Sequence, residues 1–270
     1  MAPRNVSPPD VAFLFGLTLK MAITASFVIF ASFTAERAGA LIGAMVASLP
    51  ISAGPAYVFL ALDHDSTFIA VSALSSLVSN AVTCLFALAY VVVAQRHGML
   101  SSLVAALTTW AIVWLVLATI EWSFFRAALL TIVVLAACLL LSSRYRHAPM
   151  PVPARRWYDL PVRASLVALL VCAVVTLGSR LGPFISGVLA VFPIVFTSLI
   201  LILHPRVGGR ANAAVIANAI SGLPGFAIAI ATVHLAAVPL GAAAALALAL
   251  LVAIGWNAMV LTARRRGIPI

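Results

Sequence analysis

The amino-acid sequence predicts an all-α, polytopic integral membrane protein of about nine transmembrane helices, arranged as two inverted repeats of five and four. Three observations lead there. The composition leaves too few charges for a water-facing surface, the basic residues collect in alternate connections, and a set of residues recurs 143 positions further along.

Of the 270 residues, 64% are hydrophobic and 8% charged, with a mean hydropathy of +1.20. A soluble domain is about 45–50% apolar and about 25% charged. A spanning helix needs about 20 apolar residues. Hydropathy places spans at 12–34, 38–61, 68–94, 101–120, 123–142, 162–178, 182–203, 212–233 and 239–262. The first segment, Met1 to Asp10, lacks the basic start of a secretory signal, so the first span is expected to be retained.

Lys and Arg favour cytoplasmic connections. With nine spans, Arg37, Arg96, Arg144, Arg146, Arg155, Arg156, Arg163, Arg206, Arg210, Arg264, Arg265 and Arg266 fall on one side, and Arg4, Lys20, Arg126 and Arg180 on the other. That predicts an outside N-terminus and a cytoplasmic C-terminus in the inner (plasma) membrane. The net charge of +10 is read as this topology signal and not as a nucleic-acid surface, because no soluble domain carries it.

The repeat rests on Arg37-Ala38-Gly39 against Arg180-Leu181-Gly182, Ile42 against Ile185, Ala47 against Ala190, and Pro50-Ile51 against Pro193-Ile194; Lys20 falls on Arg163 at the same shift. Further on, after a five-residue shortening, Asn80-Ala81-Val82-Thr83 aligns with Asn218-Ala219-Ile220-Ser221. The chain divides into a first repeat at 1–143, a cytoplasmic linker rich in Pro and Arg at 144–161, and a second repeat at 162–270. An odd first unit inverts the second.

Pro50 and Pro193 fall near the middle of their spans, where a broken helix is tolerated only beside protein or a water-filled cavity. Matched breaks in two halves point to a binding site at the midplane. The expected substrate-contacting residues are Pro50, Pro193, Asn80, Asn218, Thr83 and Ser221, with Lys20, Arg37, Arg163 and Arg180 as gates or anion contacts. The polar stripe Ser72, Ser75, Ser76, Ser79, Asn80 and Thr83 either lines a hydrated path or glues helices together. No Asp or Glu falls in the middle of a span. The plan is similar to that of inverted-repeat secondary transporters such as the bile-acid symporters and the sodium/proton antiporters, without the antiporters' intramembrane carboxylate.

Enzyme signatures are absent: no H-E-x-x-H, no G-x-S-x-G and no phosphate-binding glycine loop. Asp63-His64-Asp65 reads as a solvated turn. His97, His147, His204 and His234 fall at predicted span ends, and Trp122, Trp157 and Tyr158 at span borders, as interfacial anchors. Cys84, Cys138 and Cys172 are each inside an apolar block, as packing residues. The expectation is a transporter or permease for a small solute, with the lipid bilayer as partner and no cofactor, metal or nucleic acid. The alternative is a membrane scaffold whose Pro and small residues serve packing alone.

Overall fold

The structure, a computed structural model, describes residues 11–37, 53–147 and 156–265. About 89% of it is helical, and no strand occurs among the described residues. The helices are α1 (Val11–Arg37), α2 (Ala53–Asp63), α3 (Ser66–Val93), α4 (Met99–Leu117), α5 (Phe124–Ser142), α6 (Asp159–Leu181), α7 (Pro183–Ala190), α8 (Ile194–Val207), α9 (Gly209–Ala219), α10 (Leu223–Leu240) and α11 (Ala242–Arg265). Short 3₁₀ turns follow α5 and join α9 to α10.

Seven helical stretches are long and apolar enough to cross a membrane: Ser66–Val93, Met99–Leu117, Phe124–Tyr145, Asp159–Gly178, Pro183–Val207, Gly209–Leu240 and Ala242–Val260. Leu14–Phe30 and Ala53–Asp63 are shorter apolar helices. The distribution of burial has the same meaning. The α3 span is 72% buried inside the protein, whereas those of α4 and α5 are each 22% buried and that of α11 17%. Leu115, Phe125, Leu140 and Leu251 all stand out from the surface. An apolar surface this extensive is stable against lipid hydrocarbon and not against water, and the chain is a multi-pass membrane protein.

Each helix boundary has a local cause. Asp65 caps α3 by accepting the Phe68 amide at 2.8 Å, and the Ser123 hydroxyl accepts the Arg126 amide at the start of α5. Gly182, Gly208 and Gly241 have φ of 86°, 81° and 85° and lie between successive helices. A side chain would strain the left-handed backbone there. Pro183 and Pro224 stand in the first turns of α7 and α10, where a missing N–H costs nothing.

One sequence boundary is corrected. The predicted eighth span, 212–233, continues through His234 to Leu240, and the turn falls at Gly241. His234 is not at a span end: its Nδ1 lies 2.8 Å from the Ala70 carbonyl and its ring stacks on Phe124 at 5.4 Å. The seventh span is broken at Val191–Pro193 into α7 and α8, at the proline where a break is expected. Of the predicted second span only the later part, α2, is described; Pro50 lies outside the described residues.

Side-chain bonds fix how the central helix runs against its neighbours. Along α3, Ser72, Ser76, Ser79 and Thr83 bond in order to Pro183, Gly187, Val188 and Val191, so α3 and α7 run in the same direction. Towards α9 and α10 the partners descend as α3 ascends: Ala70 with His234, Asn80 with Leu223, Tyr90 with Asn212. These helices are therefore antiparallel and meet over their whole length. The starts of α3 and α9, Ser66 and Gly209, are 143 residues apart, as are those of α4 and α11, Met99 and Ala242.

The contact of α3 with α7 is among the closest in the fold. A Cβ built on Gly187 would lie 1.9 Å from the Ser72 carbonyl oxygen and 2.2 Å from Ser75 Oγ, so the helices approach backbone to backbone as small residues permit. Gly187→Ala forces them apart, and overpacking of this kind costs about 1–3 kcal/mol. We expect its melting temperature in detergent to fall clearly below that of the parent. Gly54→Ala, where a Cβ meets nothing within 4 Å, should leave it near the parent value; equal effects would contradict the packing described.

Candidate functional site

The break at Val191–Pro193 creates the problem that organises this region. Proline cannot donate, and helix carbonyls around a break lose their partners. Here α3 supplies them. Ser76 Oγ donates to Gly187 O at 2.6 Å, Ser79 Oγ to Val188 O at 3.3 Å and Thr83 Oγ1 to Val191 O at 3.0 Å. The Pro193 carbonyl accepts both the amide and the hydroxyl of Thr197 at 2.9 Å. The stripe on α3 is thus adhesive at this contact, where Thr83 bonds to Val191, two residues before the buried Pro193.

Two tryptophans of α4 seal it. Trp110 packs edge-on against Phe192 at 5.0 Å, and Trp114 against Phe184 at 5.5 Å. The Trp114 indole donates to Ser79 Oγ at 3.4 Å. Neither ring was singled out from sequence, since an aromatic in an apolar block carries no signal of its partner.

Asn80 is fully buried where α3 crosses the start of α10. Its Nδ2 donates to Leu223 O at 3.2 Å, while its Oδ1 has no partner. Asn218 does not join it. It is exposed, and its Nδ2 donates to Ala214 O and, at 3.2 Å, to Arg146 O just beyond α5. Ser221 Oγ donates to Asn218 O at 2.7 Å. The two Asn residues therefore have separate partners, and the one Asn80 meets, Leu223, stands 143 residues further along the chain.

The expected cationic contacts separate. Lys20 of α1 forms an ion pair with Asp63 at the end of α2, with side chains 21% and 38% exposed, and its ammonium lies 5.8 Å from the centre of the Phe59 ring. Arg180 is exposed near the end of α6 and Arg163 is partly buried in it; Arg37 is the last residue of α1. Asp63-His64-Asp65 is a junction with three jobs: Asp63 holds Lys20, His64 stacks on Phe68 at 3.8 Å, and Asp65 caps α3.

A second ion pair lies at the opposite end of the bundle. Arg206, in the last turn of α8, grips both oxygens of Asp159 at the start of α6, one of them at 2.8 Å. Asp159 also accepts the Arg156 amide at 3.0 Å. The Arg206 guanidinium sits 5.2 Å from the Tyr158 ring. Hydrogen bonds from Arg206 and then Arg156 lower the phenol's pKa below its ordinary value.

Near this end, Tyr90, His204 and Asn212 form a buried chain. Asn212 Nδ2 donates to the Tyr90 oxygen at 2.7 Å, which is 2.6 Å from His204 Nδ1. The phenol and the imidazole share one hydrogen, donated by either partner according to the ring tautomer. His204 stands in the last turn of α8, as its place at a span end leads one to expect, but it is a buried network member and not an exposed tip. Cys84 and Cys138, far apart in sequence, meet thiol to thiol between α3 and α5.

A cavity lies elsewhere among the described residues. A partly open space of about 390 Å³ lies between α1, α2, α10 and α11. Thr24, Phe27, Tyr57, Phe59, Phe226 and Leu250 are among its walls. Along α2 its walls run from Phe59, one turn from Asp63, back to Ala53, about 9 Å of helix. Its volume is in the range of small-ligand sites, about 300–1,000 Å³.

With that geometry established, comparison with known proteins adds no relative: no family model, no curated protein and no solved structure matches the chain.

The Asp159 clasp has a readable signature. Tyr158 is expected to ionise below the usual phenol value of about 10, seen as phenolate absorbance lost in Tyr158→Phe, and Arg206→Met should move its midpoint up. Because only the folded chain sets the two guanidiniums beside the phenol, raising pH through this range strengthens the clasp. Arg206→Lys should recover part of the melting temperature lost in Arg206→Met, since an ammonium replaces the charge but not the two parallel bonds.

Proposed function

We propose that the protein is a membrane carrier for a small solute, built from two inverted repeats of five and four spans, with its N-terminus outside and its C-terminus cytoplasmic. The observation that carries the reading is the antiparallel crossing of α3 with α9–α10 at Asn80 and Leu223. If residue i of the first repeat corresponds to residue i+143 of the second, Asn80 and Leu223 are equivalent positions, and a pseudo-two-fold axis in the membrane plane passes between them. Contacts on either side should then exchange. The pairing of Ala70 with His234 has its counterpart, within one residue, in that of Tyr90 with Asn212.

The ion pairs support the same symmetry. Asp63 closes the second span of one repeat and Arg206 that of the other, again 143 apart, and each is tied to the first span of its own repeat, by Lys20 and by Asp159. The clasps have opposite polarity and opposite ends, as inverted halves under a positive-inside bias require. On this assignment, α5 has no counterpart in the second repeat.

An inverted pair with a cavity between its halves is the architecture of alternating access, in which one half rocks against the other. The cavity beside α2, α10 and α11 serves as the open side, and the closed contact of Thr83 with the Val191–Pro193 break serves as packing. This moves the expected solute site from Pro193 to the cleft flanking α2. The dry α3–α7 interface favours a second reading, a scaffold with one fixed arrangement.

Two experiments separate these. Spin labels at Leu62→Cys and Ala243→Cys, with Cys172→Ala, should report two separations across the cleft in lipid nanodiscs; one narrow separation under all conditions supports the scaffold. For topology, an impermeant maleimide on intact cells should label Asp65→Cys and not Arg96→Cys, and the reverse pattern overturns the orientation.

A further inference from the structure

The walls of the cavity restrict what it accepts. Among its lining residues the polar groups already have partners: the Tyr57 hydroxyl is 2.7 Å from Ser76 Oγ, and the Thr24 hydroxyl donates to the Lys20 carbonyl at 2.8 Å. The remaining walls are hydrocarbon and aromatic carbon, from Ile23, Phe27, Phe226, Ile230, Leu246 and Leu250. A sugar, nucleotide or amino acid entering such a space exchanges water for nothing. A hydrocarbon chain gains the full burial.

One end of the space differs. Lys20 and Asp63 stand just beyond the lining, both partly exposed, with the Lys20 ammonium 5.8 Å from the ring centre of Phe59, itself a wall. This pair presents donors and acceptors side by side, one turn beyond an apolar slot. We infer that the cavity binds an amphiphile with a single hydrocarbon chain held between α1, α2, α10 and α11, and with its polar head exchanging hydrogen bonds with Lys20 and Asp63. A free fatty acid and one chain of a membrane phospholipid share that chemistry. The inference rests on the carrier reading for its consequence, that the amphiphile is the solute carried, but the binding site stands without it.

The test uses the full chain in phosphatidylcholine nanodiscs with two photoreactive probes. One is a fatty acid carrying a mid-chain diazirine, the other a phosphatidylethanolamine carrying the same chain. After irradiation, labelled positions are mapped by mass spectrometry. The expected result is saturable labelling of 53–59 and 226–233 by one or both probes, competed by the unlabelled fatty acid. Filling the slot with Val58→Trp should lower that labelling about tenfold, while labelling of the outward face of α4 at Val104 and Leu115 stays unchanged and shows that the variant is folded. Ile23→Trp provides a second filling from the opposite wall. Replacing the pair by Lys20→Gln with Asp63→Asn should weaken competition by the fatty acid but not by an uncharged alkane.

Labelling by the fatty acid alone identifies a dissolved amphiphile, and by the phospholipid alone a lipid of the bilayer; both support the site. Labelling spread evenly over the lipid-facing helices, unsaturable or indifferent to both fillings, overturns it. The outcomes separate from those for the carrier. Two spin-label separations without cavity labelling keep the carrier and reject the amphiphile, whereas cavity labelling with one fixed separation keeps the site and rejects transport.

Discussion

The bundle depends on how α3 satisfies the carbonyls of a helix that breaks inside an apolar environment. In hydrocarbon an unpaired backbone group costs several kcal/mol, so the interruption at Val191–Pro193 is possible only because hydroxyls stand opposite it. Ser72, Ser76, Ser79 and Thr83 follow a spacing of three and four along one face of α3 and meet successive carbonyls of α7 and the break. That register needs a backbone approach that Gly187 alone allows at its position. Once it is set, α3 is enclosed by α4 and α5 on the other sides, and α10 lies across it.

The same helix explains why the remaining polarity is sparse. Its face towards α9 and α10 carries Asn80 and Tyr90, which bond to Leu223 O and to the Asn212–His204 pair. Two of the amide oxygens there, of Asn80 and Asn212, lack a partner. A buried acceptor left open is costly, and both lie where the two halves of the chain meet. They mark the contact surface across which a rocking motion exchanges partners, under the carrier reading, and they are places where bonds form in one arrangement and not in the other.

Much of this architecture was legible in the sequence because membrane physics is strict. Span positions follow from composition, and α3, α5, α6 and α11 begin and end within a few residues of the apolar blocks. The stripe on α3 was legible as a polar face, and its two meanings, path or glue, were separable only by finding Gly187 opposite it. The separate places of Asn80 and Asn218 were not legible, because helix starts are not marked by sequence alone: Ser66 and Gly209 share no side-chain chemistry, one being capped by Asp65 and the other following a left-handed Gly208. Lys20 was recognisable as a costly cation, but its partner was hidden in a triplet that read as a solvated turn.

The cavity was the least legible feature, for a reason that bears on its chemistry. A site for a polar solute announces itself by charged or hydrogen-bonding residues that an apolar span has no other cause to keep. The walls between α1, α2, α10 and α11 are the residues that any lipid-facing helix would carry, so a slot for hydrocarbon has no residue signature at all. The absence of an intramembrane carboxylate fits the same picture. A solute that partitions into the bilayer by itself needs no desolvation by the protein, and on the proposed carrier reading the work left is to escort one polar head across. On that reading the residues placed to do so are Lys20 and Asp63, a neutral pair one turn beyond the lining that a head group of either sign can open.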